Sequence, residues 1–239
     1  MNLSLQDIVK TYNGQGVLNR FSATFSAGGC YLLLGENGAG KSTLAKCIAG
    51  DIVYDSGTMH YQRNRLVAED VAIQYQAFDS YSHLKIAEVI RLFQALTGSS
   101  KDLTELHNLL ELTTYSHVLV KNASGGQRKA LSIYLAFLLN KPIILLDEPF
   151  ADLDLMKKKQ FAAFLQKEIK QSQCIIIVIS HEVAGFESLF DAIYILQNGQ
   201  LADYGTLNVL EEKYPNSMLK GIEGIYFEVT GKVLGGRVG

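Results

Sequence analysis

The stretch Gly35-Glu36-Asn37-Gly38-Ala39-Gly40-Lys41-Ser42, with Thr43 behind it, constrains this chain more than any other. Before it stands Cys30-Tyr31-Leu32-Leu33-Leu34, a short apolar run of the kind a fully buried strand makes. After it comes Thr43 to Ala49, where Leu44, Ala45 and Ile48 recur at helical spacing. Strand, glycine-rich turn and helix in that order turn a G-x-x-x-x-G-K-S/T pattern into a phosphate site. The residue types are those the chemistry requires. Glycines let backbone N–H groups wrap a triphosphate with no Cβ in the way, and the helix N-terminus adds partial positive charge. Lys41 is spaced to reach the β- and γ-phosphates, and the Ser42 hydroxyl can ligate Mg²⁺. An ordinary glycine-rich turn ending in Lys-Ser is the competing reading, and the flanking strand and helix weigh against it.

Bulk properties narrow the class further. At 239 residues and 48% hydrophobic, the chain can build a substantial core as one large domain with sub-lobes. A net charge of −2 gives no electrostatic case for nucleic acid or an anionic membrane surface. Cys30, Cys47 and Cys174 are odd in number and never spaced Cys-x-x-Cys, so they read as buried thiols of a reducing compartment. No apolar run approaches the ~18 residues of a membrane span, and Met1 to Lys10 lacks a signal-peptide core. A soluble, cytoplasmic protein is expected.

The first thirty residues read as antiparallel strands, with Phe21, Ala23 and Phe25 alternating with polar partners and Asn13-Gly14 as a turn. Tyr12 ends the first strand, and its ring suits either half-buried packing or a nucleobase stacked on it. Thr58 to Tyr61 and Val71 to Tyr75 predict strands, with Gln76 at the end of the second. Lys85 to Leu96 and Leu103 to Leu110 carry helical apolar faces and make a small helical lobe. Asn122-Ala123-Ser124-Gly125-Gly126-Gln127 opens another helix, where Ser124 is either a plain N-cap or part of a second anion site. Ile143 to Leu146 is a buried strand ending in Asp147-Glu148. Carboxylates there sit where open α/β sheets bind ligands, Asp147 suited to Mg²⁺ and Glu148 to accepting a proton from water. Asp154 to Ser172 is helical, with Lys157-Lys158-Lys159 as its solvated face. Cys174 to Ile179 is the next buried strand, with His181 close behind it and able to reach a γ-phosphate. Ile193 to Tyr204 reads as a hairpin turning at Asn198-Gly199, and Thr206 caps a helix to about Lys213. The glycine-rich tail predicts a strand around Ile225 to Val229.

The order of these pieces closely resembles the nucleotide-binding subunit of ABC transporters, from about Leu3 to Leu210: phosphate loop, Gln76, Ala123-Ser-Gly-Gly-Gln127, the Asp147-Glu148 strand, Ala151-Asp152-Leu153-Asp154 and His181. The resemblance implies an α/β fold, a P-loop NTPase (RecA-like) core with an N-terminal antiparallel β subdomain and a small α-helical subdomain. It divides the chain into an ATP-binding domain, 1–214, with its helical lobe at about 77–135, and a tail, 215–239, of unknown role. It implies ATP and Mg²⁺ as ligands, with ATP held by Tyr12 and by Gly35, Glu36, Asn37, Gly38, Ala39, Gly40, Lys41, Ser42 and Thr43. Glu148, His181 and Gln76 would be catalytic, and Ser42, Gln76 and Asp147 would hold the metal. Ser124, Gly125, Gly126 and Gln127 would meet the ATP of an opposite subunit in a homodimer or pseudo-symmetric dimer, with Asp154 communicating across it. Ala123 stands where the family usually has Leu, and Ala-Asp-Leu-Asp where it usually has Ser-Ala-Leu-Asp; neither change removes a phosphate-binding or catalytic group. A separate transmembrane permease subunit is the implied partner, docking near Gln76 with Phe78, Tyr81 and His83 as candidate contacts, residues that could equally serve local folding. The short segments on either side of Gln76 point to an exporter-type subunit. A soluble ABC-type ATPase of an assembly process, such as iron–sulfur cluster building, is the alternative. A phosphate-loop kinase stands third, because it leaves Ser-Gly-Gly-Gln without a use.

Overall fold

The computed structural model describes residues 1–74, 80–151, 153–181, 185–215, 217 and 219–234, so Gln76, Phe78 and Asp152 lie outside the described residues. In chain order come β1 (Asn2–Tyr12), β2 (Gln15–Ser26), β3 (Gly29–Gly35), α1 (Lys41–Ala49), β4 (Ser56–Tyr61), β5 (Asn64–Arg65) and β6 (Val71–Gln74). Then follow α2 (Ile86–Thr97), α3 (Thr104–Leu109), α4 (Gly125–Leu138), β7 (Ile143–Asp147), α5 (Leu155–Ser172) and β8 (Ile175–Ile179). The hairpin β9 (Ala192–Gln197) and β10 (Gln200–Gly205) leads to α6 (Leu207–Lys213) and α7 (Gly221–Thr230).

An antiparallel sheet runs β2-β1-β4-β5, and the central sheet runs β10-β9-β3-β8-β7-β6. Within the central sheet β3 is parallel to β8 and β9, and β7 is parallel to β8 and β6. Its parallel strands read as near-continuous apolar runs because both faces are covered, as parallel sheets require, while β10, antiparallel to β9, is an exposed edge. The two-residue period then sorts them. Cys30, Leu32, Leu34, Ile144, Leu146, Ile176 and Val178 face a core shared with α4 and α5. Tyr31, Leu33, Ile143, Leu145, Ile175 and Ile177 face the opposite core, shared with α1 and the antiparallel sheet. The architecture is therefore the layered α/β form expected from the sequence.

The helical lobe leans on this frame. Ile86, Val89 and Ile90 of α2 and Leu106 of α3 are buried in the same core as Leu131 to Phe137 of α4. Ion pairs lace the lobe to α5: Lys167 to Glu105 at 2.7 Å, Lys157 to Glu111 at 2.8 Å, and Lys101 to the buried Glu168. Lys157, expected on a wholly solvated face, thus has a structural partner, though an exposed pair of this kind adds only ~0–1 kcal/mol.

The tail corrects one expectation. Residues 225–229 are not a strand but part of the helix α7. Ile222, Ile225, Tyr226 and Val229 are spaced i, i+3, i+4, i+7, a helical face, and the first three are buried in the core, where α7 packs on α6 and β9. Gly221, Gly224 and Gly231 obscured that period. Gly224 is required by close approach, since a Cβ there would lie 1.9 Å from the Leu219 carbonyl oxygen.

Candidate active site

Parallel register brings the functional ends of three strands level. Leu33 of β3 pairs with Ile179 of β8, and Ile179 pairs in turn with Asp147 of β7. The residues following β8 therefore emerge between the phosphate loop and the carboxylates. Open α/β sheets bind ligands at such carboxyl ends.

In the phosphate loop, Gly40 is the N-cap of α1 at φ +107°, and a Cβ there would lie 2.7 Å from the Val17 carbonyl oxygen. The loop is braced by the β9–β10 turn, where the Gly199 N–H donates to the Ala39 carbonyl at 3.1 Å. Lys41 Nζ donates to the carbonyls of Gly35 at 2.6 Å and Glu36 at 2.8 Å, so its charge lies inside the curl of the loop. Burial lowers the Lys41 pKa, opposed by the negative charges of Glu148, Asp147 and Glu36. An ammonium held that way is poised for phosphate oxygens.

Ser42 Oγ lies 3.4 Å from Asp147 Oδ2, so two hard oxygen ligands face one another. That donor set suits Mg²⁺, which binds one or two protein oxygens and keeps water or phosphate oxygens for the rest. Asp147 is oriented by a residue the sequence reading passed over. Gln74 is fully buried, and its Oε1 accepts the Asp147 backbone N–H at 2.9 Å. Only its place at the end of an apolar strand beside β7 could have marked it.

Glu148 follows at φ +50°, a left-handed conformation uncommon outside glycine. Its N–H donates to the Ile179 carbonyl at 2.7 Å, fixing the turn. Ser180 Oγ donates to Glu148 Oε2 at 3.0 Å, and His181 Nδ1 lies 2.6 Å from Oε1. The carboxylate is 17% exposed and the imidazole 55%. A carboxylate held by Ser180 and His181 yet still partly exposed can accept a proton from water.

The remaining candidates lie around this centre. Tyr12 is 43% exposed, with Lys10 Nζ 5.2 Å from its ring centroid. Asp55 fixes the chain beside it, accepting the Thr11 N–H and hydroxyl at 2.7 Å each and Lys10 Nζ at 2.9 Å. Ser124 makes a capping box with Gln127: its Oγ accepts the Gln127 N–H at 3.2 Å, and its own N–H donates to Gln127 Oε1 at 3.0 Å. In the first turn of α4, Gly125 faces open space, and a Cβ on Gly126 would meet only the Ser124 hydroxyl, at 4.0 Å. Asp154 caps α5 through the Lys157 N–H at 2.9 Å. Lys129 Nζ reaches back from α4 to the Ala151 carbonyl at 3.0 Å, tying that helix to the loop after Glu148.

The sequence model of the ABC transporter family matches residues 18–151, from β2 through the carboxylate strand. The chain belongs to the ABC transporter family. As an ABC cassette it binds ATP and is an ATPase. It is 25% identical over 235 residues to the probable sulfate/thiosulfate import ATP-binding protein CysA of Chlorella vulgaris, covering 94% of this chain and 100% of that one. It is 26% identical to the spermidine/putrescine import ATP-binding protein PotA of Mycoplasma mycoides, where the match covers 93% of this cassette and 66% of the relative's length. A solved ATP-binding subunit of an ABC transporter superposes with a TM-score of 0.83 at 25% identity, covering 96% of this chain and 100% of that one. An ABC cassette, not a phosphate-loop kinase, accounts for the Ser-Gly-Gly-Gln helix start within the matched span. Among the described residues no helix is long and apolar enough to cross a membrane.

Proposed function

We propose that this cassette is the ATP-hydrolysing subunit of an ABC transporter, closing as a dimer on Mg-ATP and driving a separate membrane subunit. One observation carries the reading: β8 delivers Ser180 and His181 against Glu148, level with the phosphate loop on β3. Lys41 and the loop amides hold the phosphates, and Tyr12 offers its exposed ring to the adenine. Ser42 and Asp147 would hold Mg²⁺, which when bound would supply positive charge against the phosphates. Glu148, oriented by Ser180 and His181, takes the proton of the attacking water. His181 donates Nδ1–H to the Glu148 carboxylate, so Nε2 would donate to a γ-phosphate oxygen only in the imidazolium form, with both ring nitrogens protonated. Gln76 is assigned to Mg²⁺ and the attacking water on the family resemblance alone.

The second copy completes the site. Among the described residues no hydrogen bond joins Ser124, Gly125 or Gly126 to the phosphate loop or to the Asp147-Glu148 turn. The exposed start of α4 is instead an anion site directed outward, to meet the γ-phosphate on a partner, with Asp154 at the junction. Charge-assisted hydrogen bonds of ~1.5–3 kcal/mol each, several per site, are enough for the ~5.5 kcal/mol that moves a two-state equilibrium from open to closed. Loss of the γ-phosphate reopens it.

Coupling to a membrane subunit is assigned to the segment that carries Tyr81 and His83. Tyr81 is 42% exposed, with its ring edge-on to Phe93 at 5.7 Å, and His83 is exposed. On this reading the cassette works at the cytoplasmic face of a membrane, held there by its partner. The exporter-type expectation is not supported, since both relatives carry import in their names. Purification from native membranes in mild detergent tests the role. A polytopic membrane protein recovered in stoichiometric amount, and released by changes at Tyr81 and His83, is expected. A cassette recovered only with soluble partners refutes the transport role in favour of an assembly ATPase.

A further inference from the structure

The tail after Pro215 returns to the phosphate loop. Ile222, Ile225 and Tyr226 anchor α7 in the core, and the end of the helix is tightly built. The Gly231 N–H donates to the Phe227 carbonyl at 2.7 Å, and the Lys232 N–H to Thr230 Oγ1 at 3.2 Å. Leu234 packs against the same core on the far side of Lys232. Held at both ends, Lys232 crosses to a residue 196 positions earlier: its Nζ donates to Glu36 Oε2 at 2.8 Å and lies 2.7 Å from Oε1.

Glu36 follows the first glycine of the phosphate loop, and its own carbonyl accepts Lys41 Nζ. Its Oε1 is buried and, among the described residues, receives no hydrogen bond, although Lys232 Nζ is close. The distance is short but the angle is out of line, so Lys232 serves that oxygen through charge. The Glu36 and Lys232 side chains are 34% and 54% exposed, so solvent screens part of the charge that the buried Oε1 carries and the cation supplies the rest. A carboxylate beside the place of a triphosphate also repels it. Glu36 is close enough to contribute to the field on Lys41.

We propose that Lys232 is a positioning residue for the ATPase reaction, acting through Glu36: it neutralises and fixes the first turn of the phosphate loop so that the loop accepts a polyanion. The inference rests on the ATP-binding reading above. The tail is on this account part of the nucleotide site, though it touches no substrate.

Steady-state ATP hydrolysis is measured on the full chain and on Lys232→Met, Lys232→Arg, Glu36→Gln and the Glu36→Gln/Lys232→Met double variant. Lys232→Met is expected to raise KM for ATP about three- to fivefold, the span of a partly exposed ion pair, with kcat unchanged. Lys232→Arg keeps the parent KM. The double variant returns towards the parent, because Glu36 serves the phosphates through its backbone amide, which Gln keeps, and removing the carboxylate charge removes the need for the cation. The KM difference between parent and Lys232→Met shrinks as salt rises from about 0.05 to 0.5 M. An unchanged KM in Lys232→Met overturns the proposal. So does a double variant as impaired as Lys232→Met, which would mean that the tail matters only for folding. A parent that neither binds nor hydrolyses ATP overturns the ATPase reading itself, so the two failures are told apart by the first measurement.

Discussion

Replacing Glu148 by Gln removes the proton acceptor while leaving nearly every contact in place. The side chain makes its bonds through two oxygens: Oε2 accepts from Ser180 Oγ at 3.0 Å and from the His181 N–H at 3.4 Å, and Oε1 lies 2.6 Å from His181 Nδ1. A Gln amide can point its oxygen at Ser180 and its NH₂ at Nδ1, with the imidazole proton on Nε2. The Glu148 N–H bond to Ile179 at 2.7 Å is backbone and unaffected. Fold stability should therefore change by no more than ~1 kcal/mol, the scale of one neutral hydrogen bond. Proton transfer by a positioned base contributes about 100- to 10,000-fold, which is ~2.7–5.5 kcal/mol in barrier. Single-turnover phosphate release with cassette in excess should slow by that factor, while nucleotide affinity measured by calorimetry stays within twofold. The ATP-bound variant should also elute as a dimer on sizing. Hydrolysis within threefold of the parent would show that Glu148 is not the base. A parallel collapse of affinity would show that its carboxylate is structural.

Three further outcomes are expected. Lys41→Ala should weaken nucleotide binding about 10- to 100-fold, the loss of one charge-assisted bond of ~1.5–3 kcal/mol; equilibrium binding at unchanged affinity would count against the phosphate cradle. Tyr226→Ala should cost about 3–5 kcal/mol in urea unfolding, as for other large aromatic truncations in a core, because Tyr226 is 2% exposed; a loss below ~1 kcal/mol would make α7 peripheral. The Thr11 hydroxyl, then Lys10 and the Thr11 amide, pull the Asp55 carboxyl down from 3.8 to about 2. A depressed carboxyl pKa stabilises the fold above its unfolded value and loses that contribution as pH falls through its folded value. Asp55→Asn should thus melt below the parent at pH 6, with the gap closing towards pH 2, and a gap constant across that range would rule Asp55 out as its source.

What the sequence determined is whatever is written in short spacings. The glycines, Lys41 and Ser42 lie within one turn, so their common purpose is readable without the rest of the chain. Buried strands such as Cys30 to Leu34 and Ile143 to Leu146 are legible because a sheet covered on both faces demands unbroken apolar residues. The hairpin at Asn198-Gly199 and the caps at Ser124, Asp154 and Thr206 are local too. Tertiary structure alone decided what meets across distance. Strand order β3-β8-β7 puts His181 on Glu148, and β6 beside β7 makes Gln74 the support of Asp147; neither contact has a signature along the chain. The tail was misread because alternating and helical periods overlap over a run as short as Ile225 to Val229, and only the pocket between the core and α6 selects the helix. The Lys232 bond to Glu36 is the extreme case: two charges 196 residues apart acquire meaning only once α7 is docked.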